Sequence, residues 1–218
     1  MTDLLASDFV DLALANPANV AVLERLPDLG GADCWLVAGC LCGPVWNALL
    51  GQPADANIND YDIFYWDPDT SWEAEDAVIR RADALFAYLG IEHEVRNQVR
   101  VPLWFEQRFG SPFPATTCSA DNIAGFIVSC ACVGLRRDGA GGYDLCAPKG
   151  LDELFAGILR PNPDNPTTSL IRDADGRAEL GEAGAGDSFY FAPGWRYRVE
   201  NTEGTVARFC WTMAPAAE

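Results

Sequence analysis

The sequence predicts an α+β fold, a small mixed sheet with helices packed on it, followed by a short all-β segment. Three observations predict it. "DYDIFYWD", residues 60–67, alternates between two faces as a strand does. "SWEAEDAVIRRADALFAYLG", residues 71–90, is a helix with both ends marked. After "RPNPDNPTT" the helical period gives way to short apolar stretches and Gly-rich turns. That change puts a boundary near Pro166, dividing the chain into 1–166 and 167–218.

The elements follow in order. Residues 3–15 carry Leu4, Leu5, Phe9, Leu12 and Ala13 near helical spacing. Pro17 opens a second helix, which "PDLGG" stops. "CWLVAG" is a short buried strand ending at Gly39. "LCGPVWNALLG" is a short helix, in which Pro44 is tolerable only in the first turn. Turn-rich "QPADANIN" leads into the 60–67 strand. Ser71 caps the next helix, acids fill its first turns, arginines follow, and Gly90 ends it. "IEHEVRNQVRVPLWF" reads as a strand bent near Pro102. A helix over 119–128, a short strand, the strand "YDLC" and a final helix complete the first part.

Composition narrows the function. The 218 residues are 49% hydrophobic and 22% charged, which suits a packed globular chain. With 32 acidic against 15 basic residues the formal net charge is −17. Such a surface repels phosphate backbones and anionic headgroups, so duplex nucleic acid and membrane are not expected partners. No stretch matches GxxxxGK[ST], which removes a P-loop. "MTDLLASDFVDLAL" lacks the pattern of a secretory signal, and no apolar run spans a bilayer; the expected location is the cytoplasm. Eight cysteines include two CxC pairs, Cys40/Cys42 and Cys130/Cys132. Zinc ligands usually sit at wider spacing, and these stretches are apolar, so buried thiols are the favoured reading. The single histidine, His93, is read as a strand residue, and Trp35, Trp46, Trp66, Trp72 and Trp104 as packing residues.

The chemistry lies in "DYDIFYWD". Side chains alternate along a strand, so Asp60 and Asp62 share a face, roughly 7 Å apart at Cα. Tyr61, Ile63 and Tyr65 point the other way, into the core. Two carboxylates on one face form half of a cage for Mg²⁺, which takes oxygen ligands and bridges to phosphates. Upstream, a strand ends at Gly39 and a helix begins at once. That glycine lets a phosphate approach backbone N–H groups.

The order strand, Gly-x, helix, then hDhDh resembles the polymerase-β-like nucleotidyltransferase superfamily. "WLVAGCLCGPVWNALLG", "DYDIFYWDPDTSWEAEDAVIRRADALFAYLG", "EVRNQVRVPLWFEQRFG" and "APKGLDELFAGILRPNP" together resemble a bacterial nucleotidyltransferase-like family of unassigned substrate, over about residues 30–163. The resemblance implies a nucleotidyltransferase-like sheet domain in 1–166, Mg²⁺ as cofactor, an NTP donor and an unidentified hydroxyl acceptor. It matches Asp60 and Asp62 to the metal-binding, catalytic pair. It matches Gly39 to the phosphate-turn glycine, with Cys40 where the family has a hydroxyl or glycine. A third carboxylate is needed as base or metal ligand. Glu94 is the first candidate and Asp144 the second; Asp67 lies too far along for the same metal. "EVRNQVRV" matches an Asn-Gln-x-Arg stretch. Asn97, Gln98 and Arg100 would orient base or sugar, and Arg96 or Arg100 would meet the triphosphate. Pro102 stands where the family has histidine.

"GDSFYFAPGWRYRVENTEGTVARFCWTMAP" resembles the second cupin motif, with Gly186, Asp187, Pro193, Gly194 and Asn201 in place. Tyr197 replaces the metal-binding histidine, and the first cupin motif is absent. The match implies hairpins in 167–218 without a metal site. Half a barrel leaves edges open, which predicts docking or homodimerisation through this segment. Two functional classes stand: a Mg²⁺-dependent nucleotidyltransferase, and a catalytically decayed nucleotide- or metabolite-binding module.

Overall fold

A computed structural model describes residues 2–109, 112–114, 116–160 and 162–165. The β segment expected from 167 to 218, and the self-association expected through it, lie outside the described residues.

Helix α1 (Thr2–Leu14) is followed by α2 (Pro17–Arg25), with Pro17 at its first position. Between them Asn16 accepts the Ala18 amide at 3.0 Å and donates to the Tyr61 hydroxyl at 3.1 Å. One buried residue thus caps α2 and ties it to the sheet.

The sheet has five strands in the order β3-β2-β1-β4-β5. These are β1 (Ala32–Val37), β2 (Asp60–Trp66), β3 (Glu92–Asn97), β4 (Gly134–Arg137) and β5 (Tyr143–Cys146). β1 runs antiparallel to β2 and β4, β4 and β5 form a hairpin, and β2 and β3 are parallel. A parallel neighbour needs a crossover, and α4 (Trp72–Phe86) supplies it. Ser71 accepts from the Ala74 amide, acids occupy the first turn, and Gly90 (φ 64°) follows the helix, as its sequence dictates.

Tyr61, Ile63 and Tyr65 of β2 join Leu36, Leu135 and Val95 on one face of the sheet. Phe9, Leu23, Leu41, Phe86 and Leu154 pack against them to form the main core. The opposite face holds a smaller cluster of Trp35, Val37 and Ile123, with Phe64 and Phe126 stacked at 5.3 Å.

Four expectations need correction. The 91–105 strand ends at Asn97, and α5 (Val101–Phe109) follows a 3₁₀ turn. Pro102 therefore sits in a first helical turn, where its missing N–H costs nothing, rather than at a strand bend. Helix α6 (Ser119–Ile123) stops short of residue 128, just before Gly125. Trp72 and Trp104 are exposed, 74% and 43%, rather than buried in the core. Pro44 is the sixth residue of α3 (Gly39–Leu49), beyond its first turn. Proline there leaves the Cys40 carbonyl without its i+4 donor. The buried Asn19 amide donates to that carbonyl at 2.8 Å instead.

The last short helix, α7 (Asp152–Phe155), closes the core against α3. Among the described residues, no helix is long and apolar enough to cross a membrane.

Candidate active site

The site grows from the end of β1. Ala38 takes φ 57° and ψ −121°, a region that suits glycine. It is held there from both sides. Its N–H donates to Val133 O at 3.0 Å, and its carbonyl accepts from the Leu41 and Cys42 amides, each at 3.0 Å. These are the first hydrogen bonds of α3, so the Gly39 and Cys40 amides lie ahead of the ladder, at the positive end of the helix. A Cβ placed on Gly39 would meet nothing within 4 Å, so the space over this turn is open. Cys40 turns away from it. Its side chain is buried and its Sγ donates to Val37 O at 3.3 Å. Burial and the nearby Asp62 push that thiol well above its ordinary pKa. At Cys40 the backbone amide thus faces the turn's side of the helix start, while the side chain is sealed in the core.

Register brings the acids together. Asp62 pairs with Val37 of β1, which sets the start of β2 beside the turn. On its other side β2 pairs in parallel with β3, Asp60 opposite Glu92 and Asp62 opposite Glu94. Residues paired in register point to the same face. Asp60, Asp62, Glu92 and Glu94 thus form a two-by-two block of acids on one face at one end of the sheet. Asp60 is exposed and Asp62 half-buried. Burial first, then Asp60 and Glu94, raise the Asp62 carboxyl to about 7, while Arg96 opposes the rise.

Glu92 had not been singled out. The signal was present: Glu-x-Glu at 92–94 repeats the two-residue spacing of Asp-x-Asp. Only the parallel register shows that the two pairs coincide.

Glu94 accepts from Arg96 Nε at 2.6 Å, and both side chains are about half exposed, 52% and 51%. Arg96 shares the face of Glu94 because it lies two residues along the strand.

Other expected ligands lie elsewhere. Asn97 is opposite Tyr65, about 17 Å of strand beyond the first acid pair. Its amide group donates to Asp67 O at 2.9 Å and Asp69 O at 3.2 Å, and its Oδ1 accepts from the Asp67 and Val99 amides. It therefore holds the loop after β2 rather than a nucleotide. Arg100 is buried against Glu75, Nε to Oε2 at 2.9 Å, donates to Thr70 O at 2.6 Å and stacks on Trp72 at 4.1 Å. Its guanidinium is committed to the scaffold. Gln98 is buried and accepts from Asn122 at 2.7 Å. Asp67 receives the Asp69 amide in a turn.

Asp144 lies on β5, three strands from β2, and pairs with Arg136 Nε at 3.0 Å. Arg136 also bonds Asp33 Oδ1 at 2.7 Å and stacks on Trp35. A cavity of about 320 Å³ opens there, lined in part by Asp33, Arg136 and Asp144. It is remote from the acid block, so Asp144 cannot serve it. His93 faces the core side, paired with Asp83 at 3.2 Å and edge-on to Phe86. Burial raises the thiols of Cys34, Cys130 and Cys132 to about 11, which holds them protonated at neutral pH.

The donor set suits a hard divalent cation. It is all carboxylate, it lies next to the open turn at Gly39, and Asp60 and Glu94 both raise the Asp62 carboxyl, a repulsion that Arg96 offsets only in part. Among the described residues no three Asp, Glu, His or Cys side chains already converge as ligands. Glu94 would have to leave Arg96 to join Asp60 and Asp62.

An open turn at a helix start thus lies beside acids on two adjacent strands. The sequence profile of the family described as nucleotidyltransferase matches residues 24–177, and the chain belongs to that family. An NMR structure described as revealing a CCA-adding enzyme head domain is similar to it, with a TM-score of 0.60 and 28% identity. The match covers 72% of this chain and 78% of that one. No curated protein matches. Nucleotidyltransferases generally use divalent metals, and membership implies a nucleoside triphosphate substrate.

Proposed function

We propose that this protein transfers a nucleotidyl group from an NTP to a hydroxyl acceptor, with Mg²⁺ held by Asp60 and Asp62. The observation that carries this reading is the register that sets both aspartates beside Glu94 and next to the open turn at Gly39. Mg²⁺, when bound, screens the triphosphate and stabilises charge developing on the reacting oxygens.

The chain's own groups do the rest. The Gly39 and Cys40 amides receive phosphate oxygens at the positive end of α3. The missing side chain at Gly39 lets those oxygens come close. Asp60 and Asp62 would hold the cation through which the donor is set against the sheet. The acceptor hydroxyl attacks the α-phosphorus, the new O–P bond replaces the bond to the bridging oxygen, and pyrophosphate leaves. Glu94 either takes the hydroxyl proton or completes the metal site.

A second reading, a nucleotide- or metabolite-binding module without turnover, is favoured by two observations. Glu94 is already paired with Arg96, and the Cys40 side chain is sealed from the turn.

Titration calorimetry with each NTP, with and without Mg²⁺, tests the metal site on wild type and Asp62→Asn. Metal-dependent binding that weakens in Asp62→Asn supports it. Equal, metal-independent binding by both proteins rejects it. Pyrophosphate release in the presence of candidate hydroxyl acceptors separates enzyme from binder.

A further inference from the structure

The Glu94–Arg96 pair stands at the edge of the acid block. Both residues lie on one strand, two apart, on the face that carries Asp60 and Asp62. Their contact is short, Nε to Oε1 at 2.6 Å, although each side chain is about half exposed. Arg96 is a cation on the acid face, in a chain whose net charge is −17. Arg100, the other arginine of this stretch, is buried against Glu75 and cannot move to a ligand without leaving that carboxylate unpaired.

From this we infer that Glu94 holds Arg96 in reserve, and that loading the aspartates releases Arg96 to grip the phosphate tail of the donor. The inference rests on the proposed metal-binding role of Asp60 and Asp62. Two anionic partners compete for one carboxylate–guanidinium contact. Without a cation, Glu94 is repelled by Asp62 opposite it and finds its counter-charge in Arg96. With a cation between the aspartates, that repulsion becomes attraction and Glu94 turns toward β2. Arg96 is then left with free N–H donors on the acid face, in the fork geometry that suits phosphate oxygens. Cation and phosphate tail thereby favour each other's binding through an exchange of partners. In the resting state Glu94 also keeps Arg96 from holding a phosphate that lacks its metal. Arg96 is a phosphate-binding residue on this account, and Glu94 sets when it is available.

The probe is inorganic tripolyphosphate, which carries no base or sugar, titrated into the intact protein in EDTA. Glu94→Gln should tighten its binding about two- to fivefold, the range of an exposed ion pair. Loss of a negative charge would do something similar without any exchange, so the same change is made in an Arg96→Gln background. There Glu94→Gln should give a clearly smaller gain, only that of the lost charge, because the arginine it would release is gone. An equal gain in both backgrounds overturns the inference, as does the absence of a gain in either. Direct Mn²⁺ titration followed by electron paramagnetic resonance keeps the two readings apart. Loss of Mn²⁺ binding in Asp62→Asn reports on the metal site alone. Tighter Mn²⁺ binding in Arg96→Gln that disappears in the Glu94→Gln background supports the exchange, and its persistence there counts against it.

Discussion

The side-chain amide of Asn19 donates at 2.8 Å to the Cys40 carbonyl, the group that Pro44 leaves without a helical partner. The same amide also donates to Ala13 O at 2.9 Å. One buried asparagine thus repairs the helix that begins at Gly39 and anchors it to the end of α1. Replacing it takes the side-chain donor from the Cys40 carbonyl, while Ala13 O keeps the longer bond from the Asn16 amide at 3.4 Å.

Asn19→Ala is expected to cost about 1–3 kcal/mol, the range for one buried carbonyl left without its donor. Urea denaturation measures the loss. Pro44→Ala, which restores the N–H to the helix, should make the same Asn19→Ala change cheaper by about 1 kcal/mol or more. Strict additivity of the two changes would show that Asn19 does not compensate for the proline.

Gly39 separates folding from binding. It has no left-handed backbone angle and an added Cβ meets open space, so Gly39→Ala should leave stability within about 0.5–1 kcal/mol of wild type. The methyl group would stand where phosphate approaches. NTP affinity should fall about tenfold while the melting curve barely moves. Unchanged affinity would remove the turn from the binding site.

Asp62 makes the metal-free protein sensitive to pH. Its folded pKa is raised to about 7 by burial and by Asp60 and Glu94, against an ordinary value of 3.8. Between those values the unfolded chain has released the proton and the folded chain keeps it. Stability therefore falls as pH rises from about 4 to 7. Asp62→Asn should be more stable than wild type by about 1–3 kcal/mol at pH 8 and nearly equal to it at about pH 4, a discount on the full shift because the group is partly exposed. Denaturant melts in EDTA at the two pH values test this. Millimolar Mg²⁺ should raise the melting temperature of wild type by several degrees and leave that of Asp62→Asn unchanged.

Glu75 and Arg100 form a buried pair, 5% and 7% exposed. Arg100→Ala would strand the Glu75 carboxylate and should cost about 3–5 kcal/mol. Glu75→Gln with Arg100→Met should recover most of that. If Arg100 serves only the scaffold, the refolded double variant binds NTP as wild type does. A large loss of affinity in that folded protein would return Arg100 to the site.

Much of this was legible in the chain itself. Ser71, the acids of its first turn and Gly90 mark α4 because capping and dipole effects act within a few residues. Asp60 and Asp62 share a face because the strand period is two, and Gly39 meets the start of a helix because the strand ends there. The family resemblance rested on these local features, and the sequence profile and fold agree with it.

Tertiary structure decided the rest. Glu92 and Glu94 join the aspartates only because β3 lies parallel to β2 in one particular register, which pairs residues some thirty positions apart. Arg96 and Arg100 look alike in "EVRNQVRV", yet strand alternation keeps one at the surface while the turn after Asn97 swings the other under Trp72. Pro102 reads equally as a strand bend or a first helical turn until the backbone before it is known. Periodicity says which way a side chain points from its own element. What it meets there depends on which distant strand or helix packs alongside, and that is settled by burial of the whole core.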